Sequence, residues 1–308
     1  MAAVPAPHVR VSPTPTAPQP PDPSGPLDMH YYLTEGLEGV EHQEYRDMRS
    51  FTRAIDSQAA ESGAGNADEY PCPYMVFSPV TRDQLANIER VRDTRYKRLR
   101  FMYLNDPKAL IIKIMPSVPH ELVTGTFVSA FLEMVAAMGL RRALASVGHA
   151  TYQGLASRKE ADGSFKPRLA RPLATDWPTV VLECGVSESA RRLKVDARWW
   201  LDNSLGEVKI VLVFYVLRPA RTIRIEHWEM DTMPNPQVTR AHPHPVVTRP
   251  IIRDTIHIDG NAVTGGPLRL NFQKIFLRAP VAAQGEGHFT FTAQDLRDYY
   301  HDVWTAAL

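Results

Sequence analysis

A chain that runs from an apolar strand through a charged helix into a second apolar strand is committed to a layered α/β fold. Here Thr179 to Glu183 reads as a strand, bounded by Pro178 in front and Gly185 behind. Glu188 to about Asn203 then reads as a helix, with Leu193, Ala197 and Trp200 on one side, Arg191, Arg192, Lys194 and Arg198 elsewhere, and a stop at Ser204-Leu205-Gly206. Val208 to Val216 follows as a nearly continuous apolar run, the pattern of a strand buried on both faces. Two strands joined in this way should be parallel, through a right-handed crossover.

The upstream pattern supplies the rest of the layer. Tyr74 to Phe77 is a short strand, and Thr81-Arg82-Asp83-Gln84 is a capping box that opens a charged helix to about Lys97. Leu99 to Leu104 and Ala109 to Met115 flank Asn105-Asp106-Pro107-Lys108 and so predict a hairpin. Ser117 caps a helix that runs to Gly139 with only a narrow polar stripe of Thr126, Ser129 and Glu133, as suits a helix buried on a sheet. With a strand at His149 to Ala156, the order becomes helix, strand, strand, strand, helix, strand. Past Pro219, Thr222 to Trp228 and Asp254 to Ile258 alternate like half-wet strands around a Pro and His loop, Met233 to Pro250. Thr292-Ala293-Gln294-Asp295 caps a C-terminal helix.

Composition divides the 308 residues further. Residues 1–27 are rich in Pro, Ala, Ser and Thr and read as a disordered tail. Residues 28–73 form an extension with a short helix near Gln43 to Ile55 and a linker or long loop from Asp56 to Pro73; residues 74–308 form one domain with its core at about 98–218. Lys plus Arg number 35 against 34 Asp plus Glu, which excludes a whole-chain field for nucleic acid and leaves only local contact. The basic run Arg90 to Arg100 could follow a phosphate backbone, or be a solvated helix face. Cys72 and Cys184 are too far apart for a ligand pair or a disulfide framework, so the compartment reads as reducing and intracellular, cytoplasmic or nuclear. No secretory signal and no membrane span is expected.

Three acids lie in series on this framework: Glu121 near a helix start, Asp162 at a strand-to-turn junction and Glu183 at the end of an apolar strand. Glu121 also suits a helix first turn on purely structural grounds, and Asp162-Gly163 is an ordinary turn pair. Glu183 follows Val180, Val181 and Leu182, so burying its carboxylate calls for a cation or a strong donor. Other candidates are weaker. Gly185-Val186-Ser187-Glu188-Ser189 lacks the final Gly of a hydrolase elbow, and Ser187 is more simply a helix cap. His242 and His244 have a metal-binding spacing inside a Pro-rich loop, His257 and Asp259 share a wet strand face, and Trp199 and Trp200 could stack bases or be buried.

The acidic order resembles the PD-(D/E)XK, restriction-endonuclease-like, superfamily, and the segments resemble an uncharacterised fungal group of that fold. The segments concerned are Pro119-His120-Glu121, Lys159 to Pro167, Trp177 to Ser189, Asp196 to Leu201, Gly206 to Val211, and Gly266 to Leu270 with Phe276-Leu277-Arg278. The resemblance implies a mixed central sheet flanked by helices, an αβββαβ core with a C-terminal helical addition. It implies a Mg²⁺- or Mn²⁺-dependent nuclease acting on DNA or RNA. Asp162, Glu183 and the carbonyl of Cys184 would hold the metal, and Glu121 would orient water or a second ion.

Two positions depart from the superfamily pattern. Ala161 replaces the Pro before Asp162, and Gly185 stands where a Lys is expected two residues beyond Glu183. A migrated Lys would have to restore the missing charge, and Lys159, Lys194 and Lys209 are the candidates. Lys209 lies within an apolar strand, where it would reach an acid or snorkel to water. The alternative is an inactive nuclease-fold scaffold that binds nucleic acid or protein.

Overall fold

The computed structural model describes residues 28–64, 72–114, 118–148, 150–186, 190–235, 238, 245–260 and 262–306. In chain order the elements are α1 (Met29–Thr34), β1 (His42–Gln43), α2 (Met48–Ala64), β2 (Tyr74–Phe77), α3 (Arg82–Arg95), β3 (Leu99–Leu104), β4 (Ala109–Ile114) and α4 (Val118–Ala137). Next come β5 (Leu144–Ser146), β6 (Thr151–Gln153), β7 (Ser157–Glu160), β8 (Gly163–Pro167), β9 (Val180–Val186), α5 (Ala190–Asn203) and β10 (Ile210–Leu217). The chain closes with β11 (Thr222–Pro234), β12 (Val246–Asp259), β13 (Ala262–Thr264), β14 (Leu268–Leu270), α6 (Phe272–Phe276), β15 (Phe289–Phe291) and α7 (Ala293–Ala306).

Two large sheets organise these elements. One has the order β13-β12-β11-β10-β9-β8-β5 and the other β1-β2-β4-β3-β7-β6. β5 is antiparallel to β8, β8 to β9, and β9 runs parallel to β10 with Glu183 opposite Val213. Taken through α4, β5, β8, β9, α5 and β10, this is an αβββαβ core in a mixed sheet. The expected order therefore holds, but on different segments. The strand expected at His149 to Ala156 is not part of that core: β6 belongs with β7 in the second sheet, and β5 and β8 supply the missing strands.

Other boundaries are corrected by packing. α2 begins at Met48 and runs on to Ala64, through much of the stretch expected to be a linker, and it buries Phe51 and Ile55 against the outer face of the second sheet. β11 extends to Pro234 and β12 starts at Val246, so the expected loop is shorter at both ends. The Thr81 capping box and the β3–β4 hairpin form as expected, with Leu99 opposite Ile114. The Pro-rich tail, the Ser117 cap, Ser187, His242 and His244 lie outside the described residues.

Strand alternation sorts the side chains into three cores. Leu182, Cys184, Leu212 and Phe214 of the seven-stranded sheet pack under α4, α6 and α7. Val181, Val211, Val213 and Tyr215 face the other way, onto α5 and the inner face of the second sheet, where Tyr74, Met102 and Ile111 meet them. Phe77, Phe101, Tyr103, Leu110 and Ile112 close the outer face with α2 and α3. Among the described residues, no helix is long and apolar enough to cross a membrane.

Candidate active site at the seam of two sheets

β7 belongs to one sheet and β8 to the other, and only Ala161 and Asp162 separate them. Asp162 thus stands where the chain crosses between sheets. Glu183 lies in the adjacent β9, whose odd positions, Val181 and Glu183, face the second sheet. On β4 the same alternation aims Ile111 and Lys113 at the seam, while Leu110 and Ile112 face α2 and α3.

The ammonium of Lys113 meets every group expected to hold a metal. It donates to Asp162 Oδ2 at 2.6 Å and to the Cys184 carbonyl at 2.7 Å, and lies 3.6 Å from Glu183 Oε2. Lys159 Nζ lies 3.1 Å from Glu183 Oε1 and 3.4 Å from Asp196 Oδ1. His120, in the first turn of α4, places Nε2 3.1 Å from the same carbonyl and 3.3 Å from Asp162 Oδ2. The Cys184 N–H donates to Asp162 Oδ2 at 2.8 Å, and Trp200 donates its indole N–H to Glu183 Oε1 at 2.6 Å. Both tryptophans of α5 are fully buried, and Trp199 donates to Ser157 Oγ, so neither ring is available to stack a base.

Burial and charge oppose each other throughout. Burial pushes the Asp162 carboxyl up, but Lys113, His120 and Arg100 outweigh it and hold it well below the usual range. Burial also disfavours the Lys113 ammonium, yet Asp162, Tyr74, Glu183 and Asp196 keep it charged. Glu183 is the exception: burial raises it to about 7, Lys159 and Lys113 pull it down, and Asp162 and Asp196 push it up. Burial lowers His120, which fits a neutral ring donating from Nε2.

The other expected residues lie elsewhere. Glu121 is exposed and pairs with Arg98 at 3.5 Å; its neighbour His120 is the α4 side chain that reaches Asp162. Lys194 is exposed on α5, and Lys209 bonds the Gly206 carbonyl near the start of β10, the snorkelling arrangement. His257 and Asp259 are exposed. Lys113 went unread in the sequence, although Ala109-Leu110-Ile111-Ile112-Lys113-Ile114 signals it by the argument applied to Lys209: an ammonium inside an apolar strand needs an acid.

The donor set suits a small oxygen-seeking cation. Two carboxylates and a peptide carbonyl converge, and Asp162 Oδ1 and Glu183 Oε2 are buried without accepting a hydrogen bond. Among the described residues, no three His, Cys, Asp or Glu side chains form a metal cluster, so an ion would rest on two carboxylates and a carbonyl and would compete with Lys113.

No protein-family model and no curated protein matches the chain. Among solved structures it is similar to a DUF820 protein of Anabaena variabilis ATCC 29413 described as a candidate nuclease, at 13% identity and a TM-score of 0.35, over 65% of this chain and 90% of that one. The fold assignment rests on the strand order and pairing of this chain.

Proposed function

We propose that the chain is a nuclease-like phosphodiesterase acting on DNA or RNA, with its lysine supplied from β4. The observation that carries this reading is the Lys113 ammonium, 2.6 Å from Asp162 and 3.6 Å from Glu183. It provides the charge that Gly185 cannot. Asp162, Glu183 and the Cys184 carbonyl would hold Mg²⁺ or Mn²⁺, which when bound supplies charge neutralisation at the phosphoryl group and an acidified water. The chain's own groups do the rest. Lys113 keeps Asp162 ionised, Trp200 and Lys159 fix one oxygen of Glu183, and His120 orients the carbonyl.

Cleavage of mixed DNA and RNA substrates in Mg²⁺ or Mn²⁺ tests this. Activity in wild type that is lost in Asp162→Ala and falls by two or more orders of magnitude in Lys113→Met is expected, the scale of losing one transition-state charge partner. Equal inactivity of wild type and both variants would overturn it.

One observation favours the alternative, a non-catalytic nuclease-fold module. Asp162 and Glu183 are each 1% exposed at the side chain, and the cavity beside Lys113, Lys159 and Asp196 holds only about 10 Å³. In that reading Lys113 is a built-in substitute for the ion. Calorimetric titration with Mn²⁺ separates the two: heat that vanishes in Glu183→Ala supports the enzyme, and no heat supports the module.

A further inference from the structure

On the other face of the seven-stranded sheet, a polar cavity of about 490 Å³ is lined by His227, Glu229, Arg253, Asp254, Arg269, Asn271, Lys274 and His288. His227 and Glu229 share the strand face of Ile223 and Ile225, which pack under α7, whereas Glu183 faces α5. The cavity is therefore separate from the seam.

His227 and Glu229 form its buried floor. His227 sits between two carboxylates, with Nδ1 3.0 Å from Asp254 Oδ2 and Nε2 3.1 Å from Glu229 Oε1. Glu229 Oε2 also accepts from Lys274 Nζ at 2.5 Å and from Arg253 Nε at 3.2 Å. Burial pushes the Glu229 carboxyl up, but His227 and Lys274 outweigh it and hold it at about 2. Arg253 reaches this position through a β-bulge: His227 pairs with Asp254 and Trp228 with Ile252, which leaves Arg253 unpaired on β12 and re-aimed.

What the cavity still offers is mainly donors. Both Glu229 oxygens are engaged, Asp254 gives one oxygen to His227, and Arg253 also pairs with Asp231 Oδ1 at 3.1 Å. His288 Nδ1 accepts from the Phe272 N–H, so in the neutral ring the remaining nitrogen, Nε2, carries the proton. Asn271 uses its oxygen to accept from the Lys274 N–H, leaving its amide NH₂ as donor. The Arg269 side chain is exposed and, among the described residues, makes no hydrogen bond or ion pair. A second cavity of about 400 Å³ shares Asn271 and Lys274 and continues to Gln273 and Lys209. Arg253 and Lys274 held by Glu229, with the unpaired Arg269 side chain and the His288 and Asn271 donors beside them, are the chemistry of an oxyanion site, and the volume suits a nucleotide-sized ligand.

We propose that this cavity binds a phosphoryl group, with Arg269, Arg253, Lys274 and His288 as its donors. The same chemistry serves a free phosphate compound and the backbone of a nucleic acid. Calorimetry on the full chain with pyrophosphate, adenosine monophosphate and a short DNA oligonucleotide distinguishes these sources. Binding of either small compound assigns a free phosphoryl ligand, and binding of the oligonucleotide alone assigns a backbone.

Arg269→Glu, a surface change that should leave the circular dichroism spectrum intact, is expected to weaken whichever binds by on the order of tenfold or more, the loss of one charge-assisted contact. Lys194→Glu, an exposed change on α5 away from both sites, should bind as wild type does, and because Arg269 lies outside the seam a loss confined to Arg269→Glu stands apart from any outcome at the nuclease-like site. Failure of all three probes to bind wild type, or unchanged affinity in Arg269→Glu, would overturn the proposal.

Discussion

Lys113 Nζ stands 2.6 Å from Asp162 Oδ2, joining a strand of one sheet to the link that enters the other. Both side chains are buried, so neither charge is affordable alone. Lys113→Met should cost about 3–5 kcal/mol, the usual loss on stranding one member of a buried pair, and Asp162→Asn should cost a similar amount. The double variant should recover a large part of the summed loss. Urea denaturation of the four proteins measures the coupling; simple additivity would mean that the contact contributes nothing.

The Trp200 indole is a dedicated donor to Glu183. Trp200→Phe keeps the ring packing but strips that bond, and should cost about 1–3 kcal/mol. It should also move the Glu183 carboxyl upward, because the lost bond favoured the ionised form. The displacement is visible as a shift in the pH dependence of unfolding between wild type and variant.

Stability should depend on pH in a direction unusual for a carboxylate. Glu183 is raised in the folded protein from 4.5 to about 7, so the native state holds its proton longer than the unfolded chain does. Its contribution is complete below about 4.5 and is lost as pH rises through about 7. Asp162 is lowered, so its contribution is present above 3.8 and lost only as pH falls further. Glu183→Gln should flatten the decline between these limits, and an unchanged slope across pH 5 to 7 would contradict the assignment.

Gly36 links α1 to α5. Its φ is +72°, and a Cβ there would lie 2.6 Å from Arg192 N and 2.7 Å from Arg192 Cα, both backbone atoms that cannot step aside. Gly36→Ala should lose about 1–2 kcal/mol from the backbone conformation alone, with the clash added. Because the Arg192 guanidinium donates to the Tyr32 carbonyl at 2.6 Å, the damage should fall on the docking of α1. Limited proteolysis should then cut near residues 28–40 faster than in wild type.

How far the sequence could be read follows from how each element is stabilised. β9, α5 and β10 announce themselves because they bury apolar side chains at the periods of strand and helix. β7 does not: Ser157-Arg158-Lys159-Glu160 has no apolar pattern, and it is buried because Lys159 finds Glu183 and Glu160 finds Arg92 at 2.5 Å. Pairing of that kind is non-local and leaves no periodic trace. Of the acids, Glu183 is marked by its apolar setting, whereas the Asp162-Gly163 pair reads locally as a turn. Lys113 carries the signal of an ammonium inside an apolar strand, but its partner Asp162 lies 49 positions away on the link between the sheets, which no local pattern shows. His120 likewise meets Asp162 across 42 positions.

The two-residue joint between β7 and β8 has a kinetic corollary. Lys113 meets Asp162 across 49 positions of chain and the Cys184 carbonyl across 71, and the partners belong to different sheets. Neither sheet can assemble the cluster alone. Its closure must wait until both are built and docked, so substitutions at Lys113 should accelerate unfolding while leaving the folding rate nearly untouched. The charged seam is then a latch that closes last.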